Sequence, residues 1–308
     1  MSQELILDEA EFSKLTHLDS QHINLEISNP SETEVDEVAL IKHLKKIRGI
    51  DRIEKLVINY DSSLKNLSIL SVFSNLRILY VYSQSIQSFV GIEWFNKGEY
   101  IKIQTHRNRR RDISQLSQLT VENIDLYVEK AEDLEVIAGH KHFNIVDIFQ
   151  SMEIDLSKWR DVIFNNLSFK KCKFKEFGNT AAIVGLNAIN ILGCRSLERF
   201  TGDNSNIKRL IVDGCKKLDL RTLKTFEGIE VLCVNSCTNE MNLEEIGGLK
   251  YVKHVDFIFC NVHVDLINLK EYFPNIESFH LSGMKKEFGL QLKHLNPDVQ
   301  ITSRSFEL

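Results

Sequence analysis

The chain has 308 residues, 43% of them hydrophobic, which is enough to bury a large core and too apolar for disorder. Its formal net charge of -5 argues against general binding to nucleic acid or an anionic membrane, both of which need a basic footprint. No apolar run approaches the ~20 residues that span a bilayer, and the opening MSQELILDEAEF lacks the basic and apolar stretches of a signal peptide. The expectation is a cytoplasmic protein with no membrane partner, and its six cysteines, none in CxxC spacing, are expected to stay reduced.

Residues 1–51 are expected to form an N-terminal cap of a strand plus a helix. HINLEIS (His22 to Ser28) alternates as a strand does. Ser31 and Glu34 have capping-box spacing ahead of EVALIKHLKKI, whose apolar residues recur at helical spacing. Such a cap would cover the first edge of a sheet.

From Arg52 onward the sequence repeats. NIKRLIVDGC (Asn206 to Cys215), GIEVLCVNSC (Gly228 to Cys237), YVKHVDFIFC (Tyr251 to Cys260) and GLNAINILGC (Gly185 to Cys194) share one frame. It extends to blocks starting at Arg52, Asn75, Lys97, Thr120, His142, Ile163, Gly185, Asn206, Gly228, Tyr251 and Asn275. The steps between these starts are nearly even, the mark of a repeat architecture. The fifth and seventh residues of every block are apolar, from Leu56 and Ile58 to Phe279 and Leu281, so both point inward from a short strand.

These blocks resemble the leucine-rich repeat, LxxLxLxx(N/C), over residues 52–285, and their step lies within that family's range. The asparagine-or-cysteine slot holds Cys172, Cys194, Cys215, Cys237 and Cys260; in the earlier blocks and the one from His142 it holds Asp61, Gln84, His106, Glu129 and Ser151, a departure from the family pattern. The resemblance implies an α/β fold, a solenoid of eleven repeats with a parallel sheet on the concave face and loops or short helices on the convex face. It also implies that the five cysteines form a buried, reduced, metal-free ladder, each thiol packing where the chain leaves its strand. Residues 286–308 are expected to be a C-terminal cap, with DVQITSRSF (Asp298 to Phe306) adding a last strand.

Sequences of catalytic type are missing: there is no GxGxxG, GxxxxGK[ST], HExxH or GxSxG. No enzyme activity and no cofactor are therefore expected, and the segments outside the repeats are too short for an appended catalytic domain. His140 and His142 form an HxH pair, expected to be a loop feature rather than a metal site. The run from His106 to Arg111 is the strongest local charge, and it reads as a solvated rim loop. Nucleic-acid binding through the Arg109 cluster is the lesser alternative.

In this family the concave face, built from the fourth, sixth and eighth residues of each block, is the usual binding surface. Its aromatic residues cluster in the middle blocks: Tyr80, Tyr82, Tyr100, Tyr127 and Phe149, with Lys102, Asp125 and Asp147 among them. Aromatics beside charged groups have the composition of an interface hot spot. The expected function is a non-catalytic, monomeric scaffold that binds a partner protein there, as an immunity-type inhibitor. A host-directed effector or an adaptor is the alternative, and the Lys-, Ile- and Asn-rich wording points to a bacterium.

Overall fold

The structure is a computed structural model, and it describes residues 3–18, 22–30, 35–104, 112–119, 121, 123–128, 142–151, 154–160 and 162–308. The chain divides into two compact units, Met1–Val146 and Asp147–Leu308.

The first unit contains β1 (Gln3–Asp8), β2 (His22–Ser28), β3 (Lys55–Ile58), β4 (Ile78–Val81), β5 (Tyr100–Ile103) and β6 (Asn123–Val128). These pair in chain order and all run parallel. The register follows the repeat frame: Leu56 faces Leu79, Leu79 faces Ile101, and Ile101 faces Ile124. The strand rows do not begin at Arg52. Leu25 and Ile27 pair with Leu56 and Ile58, and Leu5 and Leu7 pair in turn with Leu25 and Ile27. Residues 3–28 therefore supply two further strands of the same sheet. Uneven steps hide them in the sequence: the stretch from Leu25 to Leu56 is much longer than a repeat, and that from Leu5 to Leu25 is slightly shorter. The longer connection carries α1 (Glu37–Leu44), capped by Asp36, whose side chain accepts from the Val38 and Ala39 amides at 3.0 Å. The expected capping pair, Ser31 and Glu34, lies outside the described residues.

The division between units falls within β7 (His142–Phe149). The second unit holds β8 (Ile163–Lys170), β9 (Glu176–Gly178), β10 (Ala188–Leu192), β11 (Arg199–Thr201), β12 (Arg209–Asp213), β13 (Val231–Asn235), β14 (Met241–Asn242), β15 (His254–Ile258), β16 (Val262–His263), β17 (Ser278–Leu281), β18 (Gln300–Ser303) and β19 (Phe306–Glu307). β8, β10, β12, β13, β15, β17 and β18 form its parallel sheet, and β19 turns back antiparallel on β18. Two small parallel pairs, β9 with β11 and β14 with β16, lie on the return side of the coils. Helices are few there: α2 (Leu269–Tyr272) and α3 (Lys286–Leu295). The α/β repeat architecture is thus present, with 3-10 turns doing most of the work expected of convex helices.

The inward rows are the core. Of the 22 fifth- and seventh-position residues, all are buried except Leu281, which is half-buried. Behind the sheet of the second unit runs a line of phenylalanine rings: Phe169 to Phe177 at 4.9 Å, Phe177 to Phe200 at 6.4 Å, and Phe200 to Phe226 at 4.9 Å.

A parallel strand must end in a sharp turn before the return segment, and in the second unit the ninth residue of each block makes it. Gln150, Lys171, Gly193, Gly214, Ser236, Phe259 and Gly283 all have positive φ, between 51° and 87°. The tenth position follows. Cys172, Cys194, Cys215 and Cys260 donate through Sγ to the carbonyl of the seventh residue one block earlier, Ile148, Phe169, Ile191 and Val234, at 3.3 to 3.9 Å. Cys237 instead donates to Asn235 at 3.5 Å. The thiols are free, as expected of the ladder, and Cys172, Cys194, Cys215 and Cys237 are buried; Cys260 is half-buried, unlike its neighbours.

The first unit solves the same problem with oxygen. Ser83 is buried and donates through Oγ to the Ser62 carbonyl at 2.9 Å. Ser62, also buried, donates to the Glu9 carboxylate, which further accepts from the Ser63 amide at 2.9 Å and the Ser63 hydroxyl. Burial pushes the Glu9 carboxyl above its ordinary range, against the serine bonds that pull it down. These serines sit one residue away from Asp61 and Gln84, the residues that the fixed frame put in the slot.

Two measurements follow from the turn row. Ser236→Gly should stabilise the protein by about 0.5 kcal/mol, because relief of a left-handed backbone (~1 kcal/mol) exceeds the added entropy of the unfolded chain. Gly214→Ala should destabilise it by ~1 kcal/mol for the reverse reason, since the nearest atom to the new Cβ is 3.6 Å away and space is not limiting. Chemical denaturation with unchanged m-values checks both.

The thiol ladder gives a pH dependence. Burial pushes the Cys215 thiol from its ordinary 9.0 up to about 12. The unfolded chain ionises this group first, so the stability it contributes is complete below about pH 9 and is lost as pH rises toward 12. Melting temperature should fall across that range, and by less in Cys215→Ala measured against its own value in the neutral range.

Candidate protein-binding face

The fourth, sixth and eighth residues of each block leave the sheet on the side away from the core. In the first unit the register sets them in rows: Val57, Tyr80, Lys102 and Asp125 in one, Lys55, Ile78, Tyr100 and Asn123 in the next. Tyr80 and Tyr100, in neighbouring rows on neighbouring strands, have ring centres 5.7 Å apart. Tyr80 and Tyr82, two residues apart on one side of the chain, stack at 5.9 Å with 20° between their planes. Tyr60, just beyond the end of β3, adds a fourth ring 6.2 Å from Tyr82. The result is an unbroken series of rings, Tyr60, Tyr82, Tyr80 and Tyr100, with the last three half-buried and Tyr60 60% exposed. The Lys55 ammonium lies over the Tyr80 ring, 5.4 Å from its centre.

Asp125 anchors one end. Its Oδ2 accepts from the Tyr100 hydroxyl at 2.5 Å and its Oδ1 from Asn144 Nδ2 at 3.0 Å. Burial, then this hydrogen bond, push the Tyr100 phenol well above its ordinary value. Burial and the neighbouring Tyr80 raise Tyr82 likewise. Both are neutral donors at any physiological pH, so the face offers phenol hydroxyls and ring surfaces rather than phenolate charge.

The expectation that all these side chains stand outward is corrected at two positions. Asp125 is 8% exposed and Tyr127 is 7% exposed, in a strand buried from Ile124 to Val128. Asp125 acts by holding Tyr100, and Tyr127 is a core residue. Alternation alone cannot report this, because it assumes that one face of every strand meets solvent. Tyr60 and Lys55 were missed in the other direction. Lys55 stands at the fourth position of the first block, and Tyr60 at the ninth, which a reading confined to the fourth, sixth and eighth positions leaves out.

Asp147 and Phe149 belong to the second unit, where both hold Lys170: its ammonium is 2.6 Å from Asp147 Oδ2 and 5.4 Å from the Phe149 ring centre. A cation from a partner would have to displace Lys170 from Asp147. Farther along the same sheet face the polar residues pair with one another, His254 with Ser278 at 2.8 Å and His280 with Thr302 at 2.9 Å.

Residues His106 to Arg111 lie outside the described residues, as does His140, the first histidine of the HxH pair; His142 opens β7. Among the described residues no group of three or more His, Cys, Asp and Glu is arranged to hold a metal ion, and no helix is long and apolar enough to cross a membrane.

Comparison with solved structures gives similar chains with low identity. One is the functional domain of InlJ from Listeria monocytogenes, described as including a cysteine ladder: 16% identity, TM-score 0.45, covering 87% of this chain and 58% of that one. Another is an internalin, InlF, also from Listeria monocytogenes, at 15% identity and TM-score 0.33 over 88% of each chain. A third is a leucine-rich-repeat protein of Leptospira interrogans, at 13% identity and TM-score 0.39, covering 96% of this chain and 95% of that one. The chain thus spans less than two thirds of the InlJ chain. No protein-family profile matches it, and no curated protein does. The fold is that of the leucine-rich repeat: in-register parallel strands, two inward apolar residues per strand, and in the second unit a polar ladder residue three places after the second of them.

The corrected positions set a measurable contrast. Tyr127→Ala should cost about 3 kcal/mol of stability, the scale of emptying a buried aromatic site. Tyr100→Phe should cost ~1–2 kcal/mol, because it leaves the buried Asp125 carboxylate one donor short. Tyr60→Ala should be nearly neutral. Equal loss in all three on thermal denaturation would show that the face is misassigned.

Proposed function

We propose that this chain is a non-catalytic scaffold that binds a protein partner on the tyrosine face of its first unit. The observation that supports this reading is the series Tyr60, Tyr82, Tyr80 and Tyr100, part-exposed and in contact ring to ring. Such rings supply large contact area with few rotamers to immobilise, and binding energy concentrates in residues of this kind. Asp125 holds Tyr100 in place before any partner arrives, which lowers the ordering cost of binding. Asp125 supports this surface through Tyr100, Tyr127 is part of the core of the same unit, and in the second unit Asp147 and Phe149 are engaged with Lys170. An immunity-type inhibitor, which masks the working surface of its partner, is the use of such a face that we carry forward, in a cytoplasmic, monomeric protein. An effector or adaptor would use the same rings.

The test is paired affinity capture from the native host with the parent chain and with Tyr80→Ala/Tyr82→Ala. A partner retained by the parent should bind the double variant at least thirtyfold more weakly, about 2 kcal/mol, with both proteins folded. Lys253→Ala, in the second unit, should bind as the parent does. Parental affinity in the double variant would place the partner elsewhere.

A further inference from the structure

The second unit carries a surface that the tyrosine face does not use. In three successive coils the residue directly after the ladder cysteine is a cation: Lys173 after Cys172, Arg195 after Cys194, Lys216 after Cys215. Because the coils are in register, these cations occupy equivalent places on neighbouring strands' ends, about 4.8 Å apart from coil to coil. Lys171, Lys175 and Lys217 flank them, and all six side chains are exposed.

Like charges at this spacing repel one another, and folded proteins ordinarily relieve them with interleaved acids. Here, among the described residues, no ion pair or side-chain hydrogen bond engages any of the six. Two of the nearby acids are turned to other uses: Glu176 pairs with Arg199, and Asp219 with Arg221 at 2.8 Å. Asp213 lies half-buried at the end of β12, and Glu198 stands three residues beyond Arg195. Beside the cations the turn row is flat. Gly193 and Gly214 adjoin, and a Cβ built at Gly193 would meet only the Lys171 Cγ, at 3.6 Å, while one built at Gly214 would meet only the Gly193 backbone.

We infer that this rim binds an extended, acidic polypeptide segment laid across the coils over Gly193 and Gly214, its carboxylates meeting Lys173, Arg195 and Lys216. Arginine and lysine on flexible stems donate charge-assisted hydrogen bonds to carboxylates, and the glycines let the ligand's main chain come close. Single-stranded nucleic acid fits less well, because no exposed aromatic ring stands in these three coils to stack a base: Phe174 and Phe177 are buried, and Phe259, exposed two coils farther along, already carries Arg304 over its ring. The chain's net charge of -5 also opposes a polyanion that contacts more than this one stripe.

The probe is a fluorescent Glu/Gly-alternating peptide of about ten residues, long enough at ~3.4 Å per residue to cross the stripe. Its anisotropy is titrated with the whole chain at low and at physiological salt. The parent should bind it, with affinity falling steeply as salt is added. Lys173→Glu/Arg195→Glu/Lys216→Glu should bind at least tenfold more weakly, with an unchanged melting temperature. Should the reversed variant fold poorly, Lys173→Gln/Arg195→Gln/Lys216→Gln gives the same test with a smaller loss. Tyr80→Ala/Tyr82→Ala should bind as the parent does, which separates this surface from the tyrosine face. Equal binding by parent and rim variants would overturn the inference. So would failure of the peptide to bind while an oligonucleotide, a sulfated glycan or an anionic vesicle does.

Discussion

A parallel strand that ends inside a stack of coils leaves peptide carbonyls facing the interior, and each must find a donor before the chain can turn back. The rest of the molecule is arranged around that requirement. In the second unit the solution is a two-residue device, a left-handed residue followed by a cysteine whose thiol reaches the carbonyl of the preceding coil. A thiol is a weak donor but tolerates an apolar setting at little cost, so the interior behind it can be filled with leucine, isoleucine and a line of phenylalanines. In the first unit the Ser83 hydroxyl does the same work for the Ser62 carbonyl, while the buried Glu9 carboxylate accepts from the Ser62 hydroxyl, in stronger, more directional bonds. Oxygen donors demand that every lone pair and proton be placed, which ties Glu9, from the start of the chain, to the loop at Ser62 and Ser63.

Charge reinforces the register at the opposite end of the strands. At the third position of the block the charges alternate in two runs, Glu54, Arg77 and Glu99 in the first unit and Lys208, Glu230 and Lys253 in the second. Arg77 lies between Glu54 at 3.8 Å and Glu99 at 2.6 Å, and Glu230 lies between Lys208 at 3.8 Å and Lys253 at 3.4 Å. These pairs are exposed and individually weak. Their effect is on pairing: a coil shifted by one position would set unlike groups out of reach. The contrast with Lys173, Arg195 and Lys216 is therefore informative, since at that rim the same repeat geometry brings like charges together.

The core was legible because it depends on composition at fixed spacing. An apolar residue at the fifth and seventh positions of every block is a constraint the chain cannot evade without burying a polar group, so Leu56 to Phe279 could be read directly. What depends on the connections was not. Leu5 and Leu25 obey the same inward rule, but one step shorter and one much longer than the repeat break the period, so their strands looked like a separate cap. Tyr80, Tyr82 and Tyr100 were placed on the right face by alternation, whereas the burial of Tyr127 depends on what covers β6 and not on its own strand. The basic rim leaves no contiguous signal, because Lys173, Arg195 and Lys216 each stand a full repeat from the next, unlike the unbroken run from Arg107 to Arg111.

The reversal at the last strand bears on growth. A parallel stack is in principle unlimited, because the outer edge of each strand presents the same evenly spaced donors and acceptors as the edge it has just paired. A second molecule could extend such a template head to tail, and contacts of that kind do not close on themselves. β19 interrupts it. Running against β18 through Thr302 with Glu307 and Ser303 with Phe306, it substitutes the alternately close and wide spacing of antiparallel pairing for the even one, and it places a carboxylate at the margin. Ile301 exchanges both of its backbone bonds on that side with Leu308, so a second molecule cannot add a parallel strand directly to β18 without first displacing β19.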